Sequence, residues 1–152
     1  MEPKKDYVLR TVEERGVRLI RLWFTDVLGQ LKSLAISPAE LEAAFEEGLH
    51  FDGSAIDGFS RVQESDVLAI PDANSFELLP WVDPSEPTGR IFCDIHNLDG
   101  TPFAGDPRHV LRRNLKAAKK RGSHSLLLQR LNTSTSKTQV ILFPLITQAI
   151  LI

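Results

Sequence analysis

The chain has 152 residues, 42% of them hydrophobic and 25% charged, a composition that allows one domain with its own core. A formal net charge of -2 argues against nucleic-acid binding, and the single cysteine, Cys93, excludes an internal disulfide. The first residues precede no apolar run of the kind found in a signal peptide, which favours a cytoplasmic protein.

The beginning of the chain predicts a helix followed by a β-hairpin. Residues 6–15 place apolar side chains on one helical face, and Gly16 follows as a left-handed C-cap. Residues 17–24 and 30–36 alternate in polarity as strands do, and the short segment 26–29 between them is predicted to be a turn.

A second helix, further strands and a last helix are predicted after the hairpin. Ser37 as N-cap, Pro38 at the first helical position and Glu40 at the third open the second helix, and Gly48 is expected as its C-cap after an end near residue 47. Asp106 is the predicted N-cap of a last helix that ends near residue 120. Strands are expected between them at residues 67–70, 76–81 and 90–95, and the nearly continuous apolar run at 90–95 predicts a central strand. This order predicts an α+β fold, a β-grasp-like mixed or antiparallel sheet with packed helices, followed by a helix and an irregular tail.

Acidic residues are distributed unevenly and indicate a boundary. All 20 lie between Glu2 and Asp106, and residues 123–152 contain none, where the chain average predicts about four. The tail ends in an apolar run at 140–152, which contains Pro144 and is too short to span a membrane. We therefore place a boundary at Gly122.

Two acidic segments could carry chemistry. The loop 51–59 contains two glycines that permit tight turns and leave Asp52 free to protrude, and a carboxylate can hold an ammonium ion and accept its proton. The same residues are also typical of an ordinary Asp-Gly-Ser turn without a function. Glu64 and Asp66 would point to one side of an extended segment, either to attract a cation or as a solvated strand entry.

Taken together, the segments 51–59, 63–66 and 70–72 resemble the N-terminal signature of the glutamine synthetase family in order and spacing. Further segments that match are residues 23–29, 79–81, 92–95 and 105–108. The resemblance extends from about residue 5 to Gly122.

The resemblance implies three segments. Residues 1–103 would form the glutamine-synthetase-like N-terminal β-grasp domain, and residues 104–122 a single helix that starts the catalytic domain. Residues 123–152 would be a tail foreign to the family, which we attribute to truncation or a frameshift and out-of-frame translation. The family uses ATP and Mg²⁺ or Mn²⁺, but we expect no cofactor or metal in this chain, because its carboxylates end at Asp106 and His124 alone is no Mg²⁺ site.

The family joins ammonia, or sometimes another amine, to the γ-carboxyl of glutamate through a γ-glutamyl phosphate, a reaction of nitrogen assimilation. Its members form rings with active sites between subunits. The resemblance implies that Asp52, donated to a neighbouring subunit, binds ammonium and accepts its proton, that Asp66 lies near this site and that Ser54 binds substrate. Phe59 would pack at the subunit interface. Ala55 departs from the serine that many members have there.

Several functions stay open at this stage. The resemblance favours the N-terminal part of glutamine synthetase, inactive by itself, with glutamine-synthetase-type subunits as partners in a homo- or hetero-oligomer and with neither nucleic acid nor membrane. Alternatives are a fragment of a γ-glutamyl-amine or polyamine ligase, and a non-catalytic module that inserts into rings of full-length subunits. A β-grasp adaptor unrelated to nitrogen metabolism, and a fragment without function, are the remaining possibilities.

Overall fold

Residues 3–56 and 66–121 are described by the computed structural model of the chain. Two units divide the chain, Met1–Leu111 and Arg112–Ile152, and every strand assigned in the described residues belongs to the first. The expectations for Phe59, for Glu64 and for the tail at 123–152 lie outside the described residues.

Helices and strands in the described residues follow the predicted order, with one additional strand after the second helix. The helices are α1, Pro3–Glu14; α2, Leu41–Glu47; and α3, Pro107–Lys120. The strands are β1, Leu19–Thr25; β2, Leu31–Ile36; β3, Leu49–Asp52; β4, Asp66–Pro71; β5, Glu77–Leu78; and β6, Thr88–Asn97. Short 3-10 turns occur at Pro38–Glu40, Gly53–Ala55 and Ala73–Ser75. The predicted α+β class is confirmed.

The strands form one mixed sheet in the order β2-β1-β6-β4-β3, with β5 paired to β6 beside this path. Strands β1 and β6 run parallel, and the other neighbours are antiparallel. The nearly continuous apolar run in β6 predicted a central strand, and β6 lies at the centre of the sheet.

The sheet is strongly curled. Phe24 of β1 and Phe51 of β3 have ring centroids 4.9 Å apart, although β6 and β4 separate these two strands in the sheet order. Both rings lie on the inner face, where apolar residues of the sheet pack with those of α1 and α2. The helices contribute Val8, Val12, Leu41, Ala44 and Phe45 to this core.

Three local expectations were only partly right. The second helix begins as a 3-10 turn, where Ser37 donates its backbone N–H to Glu40 Oε2 at 2.8 Å. Strand β3 lies where loop was expected, because Phe51 packs into the core and its strand pairs with β4. Strand β5 is shorter than predicted and ends at Leu78, before Pro80, which has no N–H to donate to a ladder.

The predicted N-cap Asp106 joins the first turn of α3 to the central strand. Its Oδ1 accepts the Arg108 backbone N–H at 2.9 Å, and its Oδ2 accepts the N–H of Ile95 in β6 at 3.2 Å. Burial raises the pKa of the Asp106 carboxyl, against the opposing effect of these N–H donors. Asp106 thus both caps the helix and continues the hydrogen bonding of the sheet.

Arg108 adds two ion pairs at the same place, with its own side chain buried. Its Nη2 lies 3.0 Å from Asp72 Oδ2, and its Nε lies 3.3 Å from Asp94 Oδ1. Its guanidinium carbon is 5.7 Å from the centre of the Phe92 ring. Burial opposes ionisation of Asp72, but hydrogen bonds from Asn74 and the charge of Arg108 outweigh it and hold the Asp72 pKa below its usual range.

Replacing Arg108 with Met should destabilise the fold, because it removes a cation that pairs with two half-buried carboxylates, Asp72 and Asp94. The expected loss is about 3 kcal/mol in the free energy of unfolding, measured by urea denaturation. The matched control is Arg10→Met, which removes an exposed helical pair to Glu14. It should cost about 0.5 kcal/mol or less. Equal losses in the two variants would contradict the structural role given to Arg108.

Gly48, predicted as the C-cap of the second helix, has a φ of +78° and lies tightly against β4. A Cβ there would lie 2.6 Å from Ile70 Cδ1 and 3.3 Å from the Ala69 carbonyl oxygen. Gly48→Ala should therefore lower the thermal unfolding midpoint more than Gly100→Ala. Gly100 shares the left-handed backbone, with a φ of +80°, but its Cβ would meet nothing within 4 Å. The control should show only the conformational cost, about 1–2 kcal/mol; an equal shift in both would contradict the close approach at Gly48.

Candidate functional site

The two acidic residues selected from the sequence face each other across a strand pair. Asp52 ends β3, Asp66 begins β4, and the antiparallel register places them directly opposite one another. Side chains opposed in this way have Cβ atoms about 4.5–5.5 Å apart. Both residues are exposed, so the pair forms a small acidic surface at one end of the sheet.

The carboxylate of Asp52 is held in place by the turn that follows it. Its Oδ1 accepts the backbone N–H of Ser54 at 2.9 Å, and Asp52 is the N-cap of the 3-10 turn Gly53–Ala55. Hydrogen bonds from the Ser54 backbone and side chain lower the pKa of Asp52. Asp52 is therefore an ionised, oriented carboxylate at neutral pH, as a cation-binding group needs to be.

The juxtaposition of Asp52 and Asp66 has an energetic cost. Like charges directly opposite each other on a strand pair are destabilising. A cation bound between the two carboxylates would relieve this repulsion. The acidic pair is therefore a candidate cation-binding surface rather than a stabilising contact of the sheet.

Ser54 and Ala55 form the exposed outer side of the same turn. Ser54 contributes its N–H and its hydroxyl to Asp52, whereas Ala55 offers only a methyl group. The anchoring residues on either side of the turn are Phe51, packed on the core, and Ile56, which is fully buried. An exposed polar turn therefore rests between two apolar anchors.

His50 is a neighbour of the site that sequence reasoning did not select. It lies two residues before Asp52 on β3 and is exposed, so the two side chains share a face of the strand. The spacing of two would have indicated this, had residues 49–52 been recognised as a strand. Phe59 and Glu64 lie outside the described residues, so their expected roles stay predictions.

Within residues 3–56 and 66–121, no three side chains of His, Cys, Asp or Glu form a group that could hold a metal ion. No helix in the described residues is long and apolar enough to cross a membrane.

Comparison with protein families gives a match over the strands that build this site. The family model for the glutamine synthetase β-grasp domain matches residues 16–98. The glutamine synthetase of Mycobacterium tuberculosis H37Rv is 60% identical over 120 residues, which are 78% of this chain and 27% of the relative. Those of Clostridium saccharobutylicum and Thermotoga maritima are 47% and 44% identical over 118 and 115 residues, 78% and 76% of this chain. The chain thus spans 26–27% of the length of these relatives.

Solved structures share the fold. GmaS without ligand superposes with a TM-score of 0.66 at 30% sequence identity, over 75% of this chain and 26% of that one. The glutamine synthetase of Plasmodium falciparum gives a TM-score of 0.67 at 22% identity, over 78% and 23%, which supports the fold alone. Since the family model covers more than half of the chain and includes both Asp52 and Asp66, the chain belongs to the glutamine synthetase β-grasp domain family.

Proposed function

We propose that this chain acts as the amine-binding part of a glutamine-synthetase-type ligase, in which Asp52 holds ammonium and takes a proton from it. The observation that carries the proposal is the pairing of an oriented, ionised Asp52 with Asp66 directly opposite. Two carboxylates at this spacing can both accept N–H donors from one small cation, and charge-assisted hydrogen bonds are the strong ones.

The proton transfer depends on a change in the environment of Asp52. In the exposed turn its pKa is lowered, which makes it a good cation holder and a weak base. A neighbouring subunit that covered the carboxylate would raise its pKa by desolvation. The proton would then pass from the ammonium nitrogen to a carboxylate oxygen of Asp52, leaving the ammonia lone pair free to attack the activated γ-carboxyl of glutamate.

The site needs a partner to be complete. Asp52, Ser54 and Asp66 are all exposed, so the described residues cannot exclude water from a reacting amine. The chain also spans only about a quarter of the length of its relatives. We infer that glutamine-synthetase-type subunits in the cytoplasm, in a homo- or hetero-oligomer, supply the rest of the site, with ATP and divalent metal, and that these 152 residues are inactive by themselves.

A second candidate differs in the amine. The methyl group of Ala55 stands beside the Asp52 turn, where a serine would add a hydrogen-bonding hydroxyl. Fewer polar groups around the carboxylate favour an amine with carbon substituents over ammonium. A γ-glutamyl-amine ligase of this family is therefore the alternative, and Asp52 would hold a primary ammonium group in the same way.

Subunit complementation tests the role of Asp52. The purified chain alone should form no glutamine from glutamate, ATP, Mg²⁺ and ammonium. It should restore activity when co-assembled with a full-length relative in which the equivalent aspartate is replaced by asparagine. The Asp52→Asn chain should restore about 100-fold less, the usual contribution of a general base.

Asp83→Asn is the matched control for this experiment. Asp83 is also an exposed carboxylate that accepts a backbone N–H, that of Ser85, at 2.8 Å, but it lies in a different loop. It should restore activity as the unmodified chain does. Turnover by the chain alone, or full restoration by Asp52→Asn, would refute the proposal.

Ala55→Ser tests the choice of amine in the same mixed assembly. An added hydroxyl should improve kcat/KM for ammonium by about 2–10-fold, the equivalent of one hydrogen bond. The kcat/KM for ethylamine should change less. A preference for ethylamine over ammonium in the unmodified chain would favour the alternative function, and an unchanged ratio in Ala55→Ser would exclude position 55 as a determinant.

A further inference from the structure

The tip of the β1–β2 hairpin, residues 26–30, is built around a buried carboxylate. Asp26 is only 5% exposed, and its Oδ1 accepts the backbone N–H groups of Leu28 at 2.9 Å and Gln30 at 2.8 Å. Its Oδ2 lies 3.5 Å from Lys32 Nζ. The Asp26 backbone also bonds to Gln30 and Gly29. The side chain of Asp26 therefore determines the shape of the tip.

This tip reaches the turn that carries Asp52. The N–H of Val27 donates to the carbonyl of Ile56 at 3.2 Å. Ile56 is fully buried, and its own N–H donates to the Gly53 carbonyl at 3.0 Å, which closes the turn. The segment before the turn also contacts β1, because the ring of Phe51 packs against that of Phe24. The Asp52 turn is thus fastened on both sides to β1 and its hairpin tip.

We propose that Asp26 is a positioning residue for Asp52. By folding the tip so that the Val27 N–H meets the Ile56 carbonyl, it holds the turn whose Ser54 N–H orients the Asp52 carboxylate. The consequence for amine binding rests on the proposed function. The structural coupling of Asp26 to the Asp52 turn, by contrast, is a property of this chain.

Two features indicate that the tip does more than connect β1 to β2. A hairpin needs only a two-residue turn with no buried charge, whereas this tip is longer and buries a carboxylate at a desolvation cost. Burial of apolar side chains at the tip does not offset this desolvation cost within this chain, because Val27 is 43% exposed and Leu28 is 60% exposed. What the tip provides in the described residues is a backbone donor aimed at Ile56.

Amide hydrogen exchange and carboxyl titration by NMR on the full 152-residue chain test the coupling. In Asp26→Ala, protection of the Ile56 and Ser54 amides should fall about tenfold or more beyond any change at core amides such as Ile91. The pKa of Asp52 should rise towards its ordinary value. Asp26→Asn keeps an acceptor oxygen for Leu28 and Gln30 and should retain most of the protection.

Leu28→Ser is the matched control, since it changes an exposed side chain of the tip and keeps its N–H; it should behave as the unmodified chain. Asp83 serves as an internal reference, and its pKa should not change in any variant. If Asp26→Ala does not fold, Val27→Pro removes the donor that reaches Ile56 and leaves the Asp26 carboxylate in place. It should produce the same local loss of protection.

The proposal is overturned if Asp26→Ala lowers protection by the same factor at Ile56 and at core amides while Asp52 titrates unchanged. It is also overturned if Asp26→Asn is as severe as Asp26→Ala. These NMR measurements need no partner subunit. They can therefore contradict the coupling of Asp26 to the Asp52 turn even when the unmodified chain restores activity in the complementation experiment. Conversely, full restoration by Asp52→Asn would refute the proposed function and leave the coupling intact.

Discussion

The antiparallel register of β3 with β4 is the constraint on which the candidate site depends. Phe51 lies opposite Val67 on the inner face, and both pack in the core. Because successive side chains alternate between faces, Asp52 and Asp66 must then point outward together. A slip of one residue would expose Phe51 and bury Asp52, so burial of the apolar pair maintains the acidic pair.

Two buried carboxylates, Asp26 and Asp106, play similar parts in different places. Each accepts two backbone N–H groups, Asp26 within the hairpin tip and Asp106 from the first turn of α3 and from β6. Burying a carboxylate is costly, and hydrogen bonds from backbone amides offset much of that cost. Each carboxylate thereby fixes the position of a backbone segment. Asp26 places the hairpin tip next to Ile56, and Asp106 places the start of α3 next to β6.

Local signals in the sequence predicted well those features that short-range physics controls. The capping pair of Ser37 and Glu40, the cap at Gly48 and the N-cap Asp106 were all recognisable from spacing alone. Strand β3 was missed because four residues between two glycines offer too little alternation to stand out from a loop. Its identity as a strand comes from pairing with β4, which is a long-range interaction.

The amino-acid sequence alone determined the α+β class, through the order and periodicity of its segments, and the family, through motifs at 51–59 and 63–66 that resemble the family signature. It also indicated the two carboxylates of the candidate site, Asp52 and Asp66. Only the tertiary structure decided that Asp52 faces Asp66 and that the tip at Val27 reaches Ile56. Register and curl depend on burying side chains from strands far apart in the chain, such as Phe24 and Phe51, at one place. No local pattern contains that information, since it arises from the packing of the whole core.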